Sequence, residues 1–184
     1  MVKLHNLTPL LTYSKFKTRN MKIKILLALV AILVVIQFIK PERNLSNDET
    51  YGVATKYPVP DDVKEILRVA CNDCHSNNTA YPSYANFQPA AWWLNSHVKG
   101  GKQHLNFSTI TQLPVAVQNH KFEEVIEMVK EKEMPIKSYT WFGLHPEAKL
   151  TDEQRAVITG WAQANMDSLK ANYPADSLVM KRRK

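Results

Sequence analysis

The feature that most constrains this 184-residue chain is an apolar segment near its N-terminus. Between Lys22 and Lys40 lie 17 residues, and none of them is charged from Ile25 to Ile39. As a helix this segment would be about 26 Å long, close to the roughly 30 Å hydrocarbon core of a bilayer, and the flanking lysines can reach the headgroups. It ends in Gln-Phe-Ile-Lys-Pro, without the small residues of a cleavage site. We therefore predict a transmembrane helix over 22–40 that is kept as an uncleaved signal anchor.

The charge distribution orients this segment and excludes a nucleic-acid-binding protein. Residues 1–24 hold six basic residues and no acidic one, whereas residues 41–180 hold 13 basic and 17 acidic residues. The basic flank should stay in the cytoplasm, so the anchor would lie in the inner membrane of a Gram-negative cell with the rest of the chain in the periplasm. A nucleic-acid-binding domain would carry its positive charge on the folded part, which here is acidic. Met21, directly before the segment, is an alternative start of the chain.

Composition predicts the organisation of the whole chain. The predicted parts are a basic cytoplasmic tail over 1–21, the anchor over 22–40, a linker over 41–59, a folded domain over 60–174 and a basic C-terminal tail over 175–184. Within the domain, apolar residues recur at helical spacing between proline, glycine and capping residues, in the stretches 61–70, 89–100, 119–132 and from Thr151 to just before Pro174. No stretch alternates with period two, so we predict an all-α domain with long loops.

Both cysteines of the chain lie in one short motif, Cys71-Asn72-Asp73-Cys74-His75. A Cys-x-x-Cys-His string is the attachment signature of c-type haem. Two thiols three residues apart at a helix end can bond to the two vinyl groups on one edge of a porphyrin, and the next residue then places an imidazole beneath the iron. We predict one covalently attached haem c, with Cys71 and Cys74 as the attachment sites and His75 as the proximal iron ligand.

Two other interpretations of the motif stay open at this stage. A thiol–disulfide site has the same Cys-x-x-Cys spacing, but such a site is expected near a βαβ pattern, which the sequence does not show. Half of a zinc site is the second interpretation, and it would need a further ligand, for which His97 or His104 could only be chosen arbitrarily. The export signal favours haem, because bacteria attach haem covalently outside the cytoplasmic membrane.

The sequence around the motif resembles a family of small haem-binding domains that is common in Bacteroidetes. The shared stretches are 70–79, Tyr81-Pro82, Trp92-Trp93, His97-Val98, 105–108, Met134-Pro135, 145–148 and Leu150-Thr151. The resemblance covers about residues 60–165 and implies an exported, helical, cytochrome c-like domain with one haem. One departure is Lys99-Gly100-Gly101-Lys102, where the family would have an acid and an arginine around the glycine, so a role of that arginine does not transfer.

A second side chain is expected on the opposite side of the iron. Met134 is our candidate for this distal iron ligand, because it follows the third predicted helix and Pro135 fixes a turn that can present its thioether. A Met-Pro pair downstream of the attachment site is also the arrangement of cytochromes c. The competing interpretations are that Met134 fills a gap in the core, or that a histidine is the ligand instead: His97, His104, His120 or His145.

These features predict a membrane-anchored monohaem c-type cytochrome domain that passes single electrons to another redox protein and is a carrier rather than an enzyme. The alternative is a haem enzyme or gas sensor with an open sixth coordination position and a distal polar group such as His97 or His104. A third possibility is an anchored binding module without haem, which would hold zinc or a disulfide. The sixth iron ligand distinguishes the first two functions.

Overall fold

The computed structural model describes residues 8–180, with side-chain detail for residues 20–180 other than Phe142. Its α-helices are α1 (Thr8–Ile36), α2 (Asp61–Ala70), α3 (Asn72–His75), α4 (Ala90–His104), α5 (Val115–Lys130) and α6 (Asp152–Asn172). Short 3₁₀ helices lie between and after them, at Val53–Thr55, Ser83–Asn86, Ile110–Gln112, Lys137–Gly143, Pro146–Ala148 and Ala175–Leu178. The described residues contain no β-strand, so the predicted all-α class is confirmed.

The first and last predicted helices of the domain form where their end signals place them. Helix α2 follows Pro60, carries two aspartates in its first turn and buries Val63, Ile66 and Leu67 on one side. Helix α6 begins with a capping box, in which the Gln154 N–H donates to Thr151 Oγ1 at 3.2 Å and the Thr151 N–H donates to Gln154 Oε1 at 2.9 Å. These local hydrogen bonds satisfy backbone groups that a helix start leaves unpaired.

The two middle helices differ from the prediction at their ends. Helix α4 was expected to end at Gly100 and Gly101 but continues to His104. Glycine is tolerated inside a helix, and Gly101 is required there by a close contact described below. Helix α5 begins at Val115 rather than at Asn119, because Pro114 provides the carbonyl that accepts its first backbone hydrogen bonds.

The chain divides into two compact units. The first contains the residues up to Pro41 together with Ser83–Trp93, and the second contains Glu42–Pro82 and the residues from Leu94 onward. In the second unit, α6 packs on both α5 and α2. The core between them consists of buried apolar residues: Val53, Tyr57, Val63, Ile66, Leu67, Phe107, Ile110, Phe122, Val129, Leu150, Ile158, Trp161, Ala162, Met166, Leu169 and Leu178.

Of residues 41–59, which were expected to be a linker, all but Pro41 belong to the folded second unit instead. Val53 and Tyr57 are buried in its core. The Asn44 side-chain amide donates to the Ser76 carbonyl at 2.8 Å, just after the cysteine motif. The polar composition that suggested a linker therefore reflects side chains that bond to neighbouring loops, and the folded domain begins well before residue 60.

The predicted anchor corresponds to the C-terminal part of α1. This helix ends at Ile36, before the last apolar residues of the predicted segment 22–40. Within residues 8–180, no helix combines the length and the apolar character that crossing a membrane requires. Residues 1–7 of the predicted basic tail and residues 181–184 of the predicted C-terminal tail lie outside the described part of the chain.

Candidate functional site

The cysteine motif forms a helical turn directly after α2. The Leu67 carbonyl accepts the Cys71 N–H at 3.0 Å, and the Cys71 carbonyl accepts the N–H groups of Cys74 at 3.1 Å and of His75 at 2.9 Å. Residues three apart on a helix lie on the same side, and the imidazole follows one position later. The structure thus brings three of the four predicted site residues together on one short element.

The imidazole of His75 is held in one orientation by a backbone carbonyl. Its Nδ1 lies 2.9 Å from the carbonyl oxygen of Leu105, and since a carbonyl can only accept, Nδ1 carries the hydrogen. The Phe107 N–H donates to the His75 carbonyl at 2.8 Å, so residues 105–107 fix both ends of this residue. Burial lowers the pKa of His75 and keeps the ring neutral. The Nε2 lone pair is then available to a metal, as in histidine ligands whose other nitrogen is hydrogen-bonded.

The two thiols are free and half-buried. Burial is the main cause that raises the pKa of Cys71 to about 12 and that of Cys74 to about 11. A redox-active cysteine needs a lowered pKa, because the thiolate is the reactive form. Among the residues that the structure describes, no group of three or more His, Cys, Asp and Glu side chains could hold a metal ion. The raised pKa values disfavour the thiol–disulfide interpretation, and the zinc interpretation finds no ligand set among the residues that the structure describes.

Asp73, between the two cysteines, links the motif to two other segments. Its Oδ1 accepts the Ala80 N–H at 2.9 Å, and its carbonyl accepts the Thr79 hydroxyl at 2.7 Å. Its Oδ2 accepts the hydroxyl of Tyr139 at 2.6 Å, which connects the motif to the loop that follows Met134. The sequence alone does not reveal this role, because nothing in the spacing of Asp73 and Tyr139 predicts that they meet.

Helix α4 contacts the motif through a glycine. A β-carbon at Gly101 would lie 2.5 Å from the Cys74 carbonyl oxygen and 2.9 Å from Cys74 Cβ, whereas one at Gly100 would have no neighbour within 4 Å. Only a residue without a side chain permits this approach. Lys102 belongs to the stretch Lys99-Gly100-Gly101-Lys102, which departs from the family pattern. Its Nζ donates to Asn44 Oδ1 at 2.6 Å and so bonds to the domain's N-terminal segment.

Met134, the predicted distal ligand, lies on the turn that follows α5. It is half-buried, and its N–H donates to the Met128 carbonyl at 3.1 Å. The guanidinium of Arg155, on α6, donates from Nη1 to the Met134 carbonyl at 2.9 Å and to the Val129 carbonyl at 2.8 Å. Met134 is thus on a different segment from the motif, and the loop that continues from it reaches the motif through Tyr139.

The competing histidines have varied surroundings. His104 lies near the motif, because it is one of the groups that lower the pKa of His75. Both ring nitrogens of His120 face carboxylates of its own helix, at 3.2 and 3.3 Å. His145 is buried and stacks on Tyr139 with the ring centroids 4.0 Å apart. His97 is half-buried on α4. The surroundings of His120 and His145 make these two the weaker candidates for an iron ligand.

A cavity of about 850 Å³ adjoins the motif, within the range of small-molecule sites. Asn72, Asp73, Tyr139 and His145 are among its lining residues. The side chains of Cys71, Cys74 and His75 are not part of its wall. The cavity therefore lies on the side of the two residues between the cysteines, and the face that carries the sulfur and imidazole groups is a different one.

Comparisons with known proteins agree with the chemistry of this motif. A family model described as "Haem-binding domain" matches residues 31–164, which includes the motif, Met134 and most of the second unit. The match begins within the apolar segment, ahead of the domain start expected from the sequence. Neither the curated proteins nor the solved structures give a match to the chain.

Proposed function

The chain belongs to the haem-binding domain family, and from this membership we propose that it is a monohaem c-type cytochrome domain, anchored to a membrane, that transfers single electrons. The observation that carries the proposal is the 2.9 Å contact between His75 Nδ1 and the Leu105 carbonyl, inside a Cys-x-x-Cys-His motif. This contact orients the ring and leaves Nε2 as the donor atom for iron. When bound, haem supplies an iron that gains and loses one electron.

Four side chains would hold the haem. Cys71 and Cys74 would bond to it through thioethers, His75 would bind the iron through Nε2, and Met134 would be the second iron ligand through its sulfur. Methionine opposite histidine stabilises ferrous iron and raises the reduction potential. The hydrogen bonds from Arg155 to the Met134 and Val129 carbonyls support this assignment, because they immobilise the turn that carries the sulfur.

The electron partner in this proposal is a second redox protein, and no substrate enters the site. The role of the chain is to keep the iron ligands fixed, so that little rearrangement accompanies a change of oxidation state. The contacts at His75, Asp73 and Gly101 support such a role, since each joins the motif to a separate part of the domain.

The membrane anchor is supported by the exposure of the apolar segment. From Ile23 to Ile39 nearly all large apolar side chains are about half exposed or more. An apolar surface of this extent is unusual on a water-soluble protein and requires an apolar environment. Because the basic residues precede it, we propose a single-pass anchor in the inner membrane of a Gram-negative cell, with the haem domain facing the periplasm.

The first test is covalent haem attachment. The full chain should be produced in a host with the c-type maturation machinery and then measured by intact mass and by its haemochrome spectrum. We expect the mass of the chain plus one haem, and the double-serine variant Cys71→Ser/Cys74→Ser should yield the bare chain. A colourless wild-type protein at the mass of its amino acids would contradict the proposal.

The second test concerns the distal ligand. The oxidised wild-type protein should have a sulfur-to-iron charge-transfer band, which Met134→Ala should remove and Met128→Ala should keep, since Met128 is a half-buried methionine on α5. An unchanged spectrum of Met134→Ala would reject Met134. Rapid binding of carbon monoxide to the reduced wild-type protein, without displacement of a ligand, would instead favour the enzyme or sensor alternative.

A further inference from the structure

Exposed aromatic side chains cluster in the first unit, around the segment that follows α1. Phe38 is 83% exposed, Phe87 65% and Trp93 42%, and Trp92 beside it is exposed as well. We call Phe38, Phe87, Trp92 and Trp93 the aromatic collar. Gln88 and Trp92 both donate side-chain hydrogen bonds to the Ile39 carbonyl, so the collar lies beside the end of α1, and the collar and the helix together expose a large apolar area. Areas of that size on a protein surface mark contacts with another apolar body.

Two glutamines satisfy the backbone at this end of the helix. The Gln88 N–H donates to Gln37 Oε1 at 2.9 Å, and Gln37 Nε2 donates in return to the Gln88 carbonyl at 3.2 Å and to the Leu33 carbonyl at 2.9 Å. The Ile39 carbonyl accepts both Gln88 Nε2 at 2.9 Å and Trp92 Nε1 at 3.0 Å. Water would satisfy these carbonyls at an ordinary helix end, whereas apolar surroundings leave them dependent on protein donors.

The exposed apolar surface of α1 extends around the whole helix. The consecutive residues Ile32–Val35 point in directions about 100° apart, and each is more than half exposed. A docked protein helix needs one apolar face, whereas a helix that is apolar all round is typical of a lipid environment or a deep protein core. Lysines at positions 22 and 40, at the two ends of the segment, suit lipid headgroups. These observations favour lipid over a protein partner.

We propose that the aromatic collar is a lipid-contact surface, which inserts into the interfacial layer of the bilayer where the anchor ends. This inference rests on the membrane anchoring proposed above. Tryptophan suits that layer because its ring is apolar and its N–H is a donor, and Trp92 uses this donor to satisfy the Ile39 carbonyl. The collar would set the depth at which the chain leaves the membrane.

The test is site-specific photocrosslinking of the haem-loaded full chain in vesicles of phosphatidylethanolamine and phosphatidylglycerol. The photoreactive residue p-benzoylphenylalanine replaces Phe87 or Trp93 in the collar. Leu29, 53% exposed in the apolar helix, is the positive control, and Trp141, 58% exposed in the second unit, is the control of matched exposure. Intact mass after irradiation distinguishes the chain plus one lipid from a dimer of chains.

We expect lipid adducts at Phe87 and Trp93 with a yield about tenfold above that at Trp141, as membrane-interface residues should give. Adducts at Leu29 with only background yield at Phe87 and Trp93 would overturn the collar while leaving the anchor intact. Dimer masses at the collar positions would overturn it in favour of a second copy of the chain. Background yield at all positions would overturn both the anchor and the collar. In that case the intact mass of the same samples, chain plus one haem, would show that haem attachment is unaffected.

Discussion

The contact between α4 and the cysteine motif gives a prediction that can be worked from the structure. Replacing glycine by alanine inside a helix stabilises it by about 1 kcal/mol. At Gly100 nothing opposes this gain, because the added methyl group would meet no atom within 4 Å. At Gly101 it would lie 2.5 Å from the Cys74 carbonyl oxygen and 3.1 Å from the carbonyl carbon. These are backbone atoms that cannot rotate away, so the helix or the motif must shift, at a cost of about 1–3 kcal/mol.

The two adjacent variants therefore separate packing from helix propensity. Gly100→Ala should raise the free energy of unfolding by about 1 kcal/mol, and Gly101→Ala should lie about 1–3 kcal/mol below Gly100→Ala. This difference is measured by urea unfolding of the haem-loaded full chain, with the helical circular dichroism signal as the probe. The yield of attached haem gives a second readout, because Cys74 is the residue that the added methyl group displaces. If Gly101→Ala is as stable as Gly100→Ala, within about 0.5 kcal/mol, then α4 does not pack on the motif as described.

Three further predictions concern the surroundings of the site. Tyr139→Phe removes the hydroxyl that donates to Asp73 and should lower the free energy of unfolding by about 1 kcal/mol. The control Tyr51→Phe, at an exposed tyrosine, should change it by less than about 0.5 kcal/mol in the same urea titration. Arg155→Gln should lower the free energy of unfolding by about 2 kcal/mol and weaken the sulfur-to-iron charge-transfer band, and Arg155→Lys should restore part of that band. A full-strength band in Arg155→Gln would show that the guanidinium does not position Met134, the proposed distal ligand. In the haem-free double-serine variant, burial keeps the pKa of His75 below its value in the unfolded chain, so the unfolded state binds more protons than the folded state. The free energy of unfolding should therefore be at its full value above about pH 6.5 and should decline as the pH falls. The variant His75→Asn should reduce this decline.

Local sequence patterns were sufficient for the elements whose ends depend on neighbouring residues. The capping box at Thr151 and the aspartates after Pro60 predict α6 and α2, and the structure confirms both. The pair Gly100-Gly101 predicts a helix end, and this prediction is wrong, because a glycine that ends a helix and a glycine that permits close packing look alike in a sequence. Only the position of Cys74, which the tertiary structure sets, distinguishes the two cases.

Long-range hydrogen bonds account for what the sequence could not predict. The polar residue Asn44 lies in a stretch whose composition suits a linker, and its bond to the Ser76 carbonyl joins positions 32 residues apart. The contact between Asp73 and Tyr139 spans 66 residues, and no periodicity relates them. Spacing identifies which residues carry the chemistry, whereas the contacts that hold them depend on the path of the loops.

The pKa shifts within the motif share one cause, and that cause bears on the kind of cofactor the motif suits. Burial raises the pKa of both thiols and lowers that of His75, so all three side chains are driven towards their uncharged forms. A reactive dithiol needs the opposite shift at the cysteines. In haem c the two cysteine sulfurs are uncharged thioethers and the imidazole is neutral, so this environment suits haem c better than it suits a reactive dithiol. In the proposed complex, a low-polarity environment around the iron would disfavour the additional positive charge of the ferric state and shift the reduction potential upward, in the direction that a methionine ligand also shifts it.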